Sequence, residues 1–358
     1  MILIYDPQSL PLTIDAVILL SMKIKYIVLL KLIFLFPMSV VADDRWDDLV
    51  VDLIIASHEN SDAVQGRIDY LTHEFVQAQS PYVAEPLGEG SQAFYSQKPL
   101  YRLDVFDCTT FVETILALAV TSYNEDNNVI LENFQQNINA IRYKAGEVSF
   151  HTRNHFPEAD WIPNNIAAGF VEDISNEVAL RFGYSHTLPA LINKKAWYEH
   201  LTIDRICIAG DDDTQYPNCS ASNEIRENRI AILKLYGQDA SNDVVAIPFL
   251  PLWQLFAPHS DTDEQLQAIP SGAILQFVRP RYDLIQWIGT LMHVSHQGIV
   301  VHRDNEVLLR HASTSTKRVT EEPLKDYLEK YWLSETCNRA WDEAPRNCLR
   351  GINILMPQ

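Results

Sequence analysis

The run Phe106-Asp107-Cys108-Thr109-Thr110-Phe111-Val112-Glu113 sets a single thiol at the head of a strong helix-forming stretch, Thr114-Ile115-Leu116-Ala117-Leu118-Ala119. Asp107 is a good N-cap residue, so Cys108 is expected in the first helical turn. The free N–H groups and the positive end of the helix dipole favour an anion there. They predict a thiol pKa below the free value of about 8.5 and offer donors to the oxyanion of a tetrahedral intermediate. The chemistry implied is nucleophilic acyl transfer, and it needs a base. The stretch Met292-His293-Val294-Ser295-His296-Gln297-Gly298-Ile299-Val300-Val301 carries two candidates on a β-patterned segment. Side chains alternate along a strand, so His293 and His296 face opposite sides and only one can point at the thiol. Gly298 permits a close backbone approach beside His296. A third element, Leu308-Leu309-Arg310-His311-Ala312-Ser313, ends the next β-patterned segment. A short turn at Asp304-Asn305 would make a hairpin and bring His296 and His311 onto neighbouring strands. A polar group in that place can bond the far nitrogen of the base imidazole and fix its tautomer.

The elements that must position these groups can be read from periodicity. Apolar spacing predicts helices over 46–57, 63–77, 108–121, 129–143 and 225–237, with a late helix over 323–331. Stretches rich in Val, Ile and Leu predict strands over 243–249, 272–278, 294–302 and 306–312. Residues 80–99 are turn-rich, 144–165 irregular, and 204–224 a loop. Helices first and strands later is the α+β pattern, and the close spacing of the strands predicts an antiparallel meander packed by helices. No internal repeat or linker divides the chain. Residues 43–358 are therefore read as a single catalytic domain with an N-terminal helical segment and a C-terminal extension.

The leader, 1–42, is set apart. Met22-Lys23-Ile24-Lys25 is basic, 26–38 is apolar, and Val40-Val41-Ala42 offers the small residues a signal peptidase reads. That order, over 22–42, is that of a secretory signal peptide cleaved after Ala42. The apolar run is too short for a span and contains Lys31, and no later run is long enough, so no stable membrane anchor is expected. The formal net charge of -19 argues against nucleic acid as a partner. Of five cysteines, Cys207 with Cys219 and Cys337 with Cys348 form local pairs and read as disulfides, consistent with export to an oxidising compartment such as the periplasm. Cys108 is left over as a candidate reactive thiol.

These segments resemble the NlpC/P60 cysteine peptidases, and within them the DUF1460 branch, the N-acetylmuramoyl-L-alanine amidase-like family. The resemblance rests on 106–113, on the stretches 142–146, 153–156 and 160–164, and on 295–299 with 311–313. It implies a papain-like core and a Cys–His–His triad of Cys108 as nucleophile, His296 as general base and His311 as orienting group, with His293 only a neighbour. It implies peptidoglycan fragments as substrate, and neither metal nor cofactor. Arg142, Arg153, His155, Trp161 and Asn164 are residue types suited to a sugar–peptide, with guanidinium for carboxylates, an aromatic face for a sugar ring and an amide for hydroxyls. The bond implied is that between N-acetylmuramic acid and L-alanine. A γ-D-glutamyl-diamino acid endopeptidase of the same fold, a zinc amidase and a non-catalytic cell-wall-binding protein are the alternatives. The absence of any HExxH motif weighs against zinc.

Overall fold

The computed structural model describes residues 43–358 apart from 184, 209–218, 220, 334–336 and 338–346. The expected leader and its cleavage position lie outside the described residues. Four helices open the fold: α1 (Asp47–Asn60), α2 (Val64–Ala78), α3 (Cys108–Val120) and α4 (Asn127–Arg142). Helix α3 has almost no polar face. Phe111, Val112, Ile115, Leu116 and Leu118 are exposed by 1% or less. A helix apolar on all sides has no place at the surface. It is accordingly enclosed by α1, α2 and α4 and by two strands of the sheet. Two later helices are α5 (Asn223–Gly237) and α6 (Leu324–Trp332).

The strands are β1 (Val171–Asp173), β2 (His186–Thr187), β3 (Ala190–Ile192), β4 (Asp243–Val245), β5 (Pro248–Pro251), β6 (Ile274–Asp283), β7 (Leu291–Arg303), β8 (Glu306–Ser313), β9 (Arg318–Pro323) and β10 (Gly351–Pro357). The main sheet runs β2-β5-β10-β6-β7-β8-β9, with β1 also paired to β10, and all of these pairings are antiparallel. Strands β3 and β4 form a separate ribbon. The expected meander is β6 to β9. Its β7–β8 hairpin closes through Asp304 and Asn305, both at positive φ (49° and 67°), as a tight two-residue turn with a right-handed strand twist requires.

Besides the short strands β1 to β3, three features differ from the sequence-based expectation. The strand expected over 243–249 is broken: 243–245 joins the ribbon and Pro248 starts β5 in the main sheet. Proline has no N–H for a ladder and is tolerated at a strand's first residue. Strand β9, Arg-Val-Thr-Glu-Glu-Pro, was not expected, because an edge strand needs little apolar pattern; only its Val319 is deeply buried. The end of the C-terminal extension is no appendage. Strand β10 lies between β5 and β6, with Ile352, Ile354 and Leu355 fully buried.

Both expected disulfides, Cys207–Cys219 and Cys337–Cys348, are formed, and Cys108 is the free cysteine. Sheet and helices are pinned together by Arg310 of β8, whose side chain is fully buried. Its Nη1 donates to the Asp69 carbonyl, the Asp69 carboxylate and Thr72 Oγ1 of α2, each at 2.7 Å, and its Nε to Glu321 of β9 at 2.7 Å. Replacing Arg310 by Leu strands this set of acceptors. The variant should lose about 3 kcal/mol of stability, read as a lower urea midpoint at unchanged slope. A loss below roughly 1 kcal/mol would show that the pin is dispensable.

Candidate active site

Cys108 opens α3 as expected. Asp107 caps the helix: its Oδ1 accepts from the Thr110 N–H at 2.8 Å, and the Thr110 hydroxyl accepts from the Asp107 N–H at 2.9 Å. The other Asp107 oxygen accepts from the Glu85 N–H at 3.0 Å, which ties the 80–107 loop to the helix start. Asp107 is thus the cap, and Tyr101 is buried with its hydroxyl on Asp47.

Strand β7 reaches the thiol at a fork in the sheet. Pairing of β7 with β8 stops at Ile299–Arg310, while β8 stays paired with β9 as far as Ser313. His296 and His311 lie just past the fork, and the Gln297 backbone there favours the ionised form of the Cys108 thiol. Register shifts in the β6–β7 ladder fall at the same place: Phe277 pairs with His296 and Val278 with Val294, leaving Ser295 as the extra residue of a bulge. Bulges of this kind re-aim side chains next to functional sites. Gly298 has a steric reason. A Cβ there would sit 2.6 Å from Leu309 Cδ1 and 3.1 Å from the His311 Cβ.

Cys108, His296 and His311 line one cavity of about 420 Å³, with Tyr82 and Tyr327 among its other walls. His296 Nε2 lies 2.6 Å from His311 Nδ1, and His311 Nε2 lies 3.1 Å from Glu322 Oε1 on β9. Lys330 holds the other Glu322 oxygen at 2.7 Å. Bonding to His311, and then to Lys330, holds the Glu322 carboxyl down at about 2 against its burial. An ionised carboxylate only accepts, so His311 carries its proton on Nε2. In the neutral state of the pair His311 Nδ1 then accepts, His296 must donate from Nε2, and the lone pair of His296 Nδ1 is left as the basic site. Tyr327 of α6 covers the relay, 6.2 Å from the His296 ring and 5.3 Å from that of His311.

The electrostatics correct one expectation. The Cys108 thiol was expected below 8.5 and is instead pushed up to about 12. Burial is the main cause and the Asp107 carboxylate adds to it, outweighing the Gln297 and Thr109 donors. Burial, then His311 and Arg279, press His296 down to about 3, with Glu322 opposing. With these shifts the thiol and the imidazole that line the cavity both rest neutral.

The sequence-predicted site splits in two. Cys108, His296 and His311 are brought together. His293 is not: it is 1% exposed, its Nδ1 accepts from the Arg281 N–H, and its own N–H bonds Glu158. None of the five residues expected to hold a sugar–peptide lines this cavity. Arg142 is 1% exposed, 3.3 Å from Glu113 and bonded to the Leu100 carbonyl; Trp161 is fully buried. Arg153 pairs with buried Glu89 at 3.7 Å. His155 bonds the Phe150 carbonyl at 2.7 Å between the Phe150 and Trp197 rings, and burial holds its pKa well below the usual range. Asn164 donates to Asn154 at 2.6 Å. They hold the 142–164 segment together and tie it to its neighbours, since long polar side chains with internal partners pack as readily as they bind ligands. Sequence reasoning missed Glu322, on a strand with little apolar signal, and Arg279, one residue past the strand expected over 272–278; the spacing of Glu322 from His311 across a second hairpin was the available clue.

Fold and cavity together define an α+β protein with a thiol and two imidazoles in one cleft. The family comes from the sequence: residues 72–332 match the AmiA-like family, described as N-acetylmuramoyl-L-alanine amidase-like, and the chain belongs to that family. Among solved structures it is similar to a Legionella pneumophila protein of the DUF1460 family, at 31% identity and a TM-score of 0.76, covering 88% of this chain and 95% of that one. It shares its fold with an N-acetylmuramoyl-L-alanine amidase from Bacteroides uniformis (23% identity, TM-score 0.50, 82% and 99% covered) and with a putative xylanase from Bacteroides fragilis (23%, 0.51, 80% and 98%). No curated protein matches the chain.

Two measurements test the site's electrostatics. Iodoacetamide should alkylate Cys108 slowly at pH 7 and faster only as the pH climbs past the ordinary thiol range; a titration midpoint below about 8.5 would mean a resting ion pair instead. In Glu322→Gln the terminal amide can donate or accept, so the tautomer preference passed through His311 should be lost. Imidazole ¹⁵N NMR should then show His296 as a mixture where the parent protein shows the Nε2–H form alone, and unchanged spectra would refute the relay.

Proposed function

We propose that the protein is a cysteine-dependent amidase with a papain-like NlpC/P60 core, cutting the amide between the lactyl group of N-acetylmuramic acid and L-alanine in peptidoglycan fragments. The observation that carries this reading is the convergence, in one cavity, of a thiol in the first turn of a helix with an imidazole bonded to a second imidazole. Family membership supplies the substrate class. His296 Nδ1 takes the thiol proton as the sulfur attacks the carbonyl carbon, because neither group is charged beforehand. N–H groups of the first turn of α3 stabilise the oxyanion. Collapse of the tetrahedral intermediate breaks the C–N bond, His296 returns the proton to the leaving amine, and water cleaves the thioester. Two disulfides and the cell-wall chemistry support export, with 22–42 as signal peptide, the periplasm as location and 43–358 as one catalytic domain.

Purified muropeptides incubated with the protein should release intact stem peptide from the sugar, seen by mass spectrometry, and Cys108→Ala should abolish release. Cleavage inside the stem would keep the mechanism and move the bond. No cleavage of any muropeptide by folded protein would refute the amidase.

A further inference from the structure

The cavity around Cys108 has a cation in its wall that the acyl-transfer steps do not use. Arg279 stands on β6 where the β6–β7 ladder is irregular, between Val278, paired with Val294, and Tyr282, paired with Met292. Its guanidinium is fixed in place. Nε donates to Ser295 Oγ at 2.9 Å, and Nη1 to the Asn347 carbonyl beside the Cys337–Cys348 disulfide. The Tyr331 and Tyr282 rings lie 5.1 and 5.8 Å from its Cζ. Yet among the described residues no carboxylate reaches it, although the chain carries 47 acidic residues against 28 basic ones. Nη2 has no partner among those residues, which leaves one edge of the fork unused. A rigid guanidinium with a free edge suits a carboxylate, a planar monoanion that it can grip with two parallel bonds.

A cation in this position is also a burden in the empty cavity. Arg279 disfavours the protonated form of His296, the form that must appear during acyl transfer. An anion bound on Arg279 would remove that penalty when substrate is present. Thr314 and Ser315, in the turn between β8 and β9, add hydroxyls to the same cavity.

We infer that Arg279 is a carboxylate subsite on the leaving-group side of the scissile amide, taking a free carboxylate of the stem peptide. The side follows from its neighbour, because His296 is the group that hands the proton to the departing amine. The inference rests on the amidase reading above and names the part of the substrate that reading leaves open.

The test is steady-state kinetics of the full chain on two muramyl dipeptides alike except at the second residue, whose carboxyl groups are free in one and all carboxamides in the other. The parent protein should prefer the carboxylate form. Arg279→Gln should raise KM for that form by roughly tenfold or more with little change in kcat, leave KM for the carboxamide form nearly unchanged while raising its kcat as the charge penalty on His296 is lifted, and so erase the preference. Arg279→Lys should restore part of it. Equal losses on both substrates in Arg279→Gln, or a parent protein indifferent to amidation, would overturn the subsite alone. Failure of the parent protein to cleave either dipeptide or any larger muropeptide would overturn the subsite together with the amidase reading.

Discussion

The site depends on a 2.6 Å contact between two imidazoles, His296 Nε2 and His311 Nδ1, carried by strands that have just stopped pairing with each other. If the β7–β8 ladder ran on, its own hydrogen bonds would fill the space between the strands. Because it ends at Ile299–Arg310, the Gln297 backbone can serve the thiol and the two rings can meet edge to face. The fork is held open from outside: β8 stays fixed to β9, Arg310 ties it to α2, and Gly298 leaves the room that His311 needs. Glu322 then gives the relay a direction, since an ionised carboxylate can only accept.

Burial sets the chemistry of the resting state. A thiolate at a helix start is favoured by the backbone, but desolvation and repulsion from the Asp107 carboxylate outweigh that. The same burial keeps His296 neutral. In the mechanism proposed above, charge separation arises during attack, when oxyanion donors and a bound anion can stabilise it. A preorganised polar surround is worth most when the charge it meets is transient.

The charged residues of 142–164 show how the same side chains serve two purposes. Guanidinium, indole and amide groups are good ligands for a sugar–peptide, and equally good partners for buried carboxylates and carbonyls. Here Arg142 and Arg153 are spent on Glu113 and Glu89, the first tying α4 to α3 and the second tying the 142–164 segment to the 80–107 loop. Arg279, which nothing in its local pattern singled out, is the arginine that faces the cavity.

The helix start at Cys108, the hairpin turn at Asp304–Asn305, the local cysteine pairs and the α+β order were legible in the chain alone. Each is set by contacts within a few residues: a cap, a turn requiring positive φ, a short loop closed by sulfur, a run of one periodicity. So was the candidacy of His296 and His311, because a hairpin of known turn fixes which residues are neighbours. What only the tertiary structure decided were the quantities that depend on distant chain: the burial that raises the thiol, the β9 carboxylate behind His311, the insertion of β10 into the sheet, and which arginines are neutralised. Desolvation and ion pairing are set by everything packed around a group, and no local stretch of sequence carries that information.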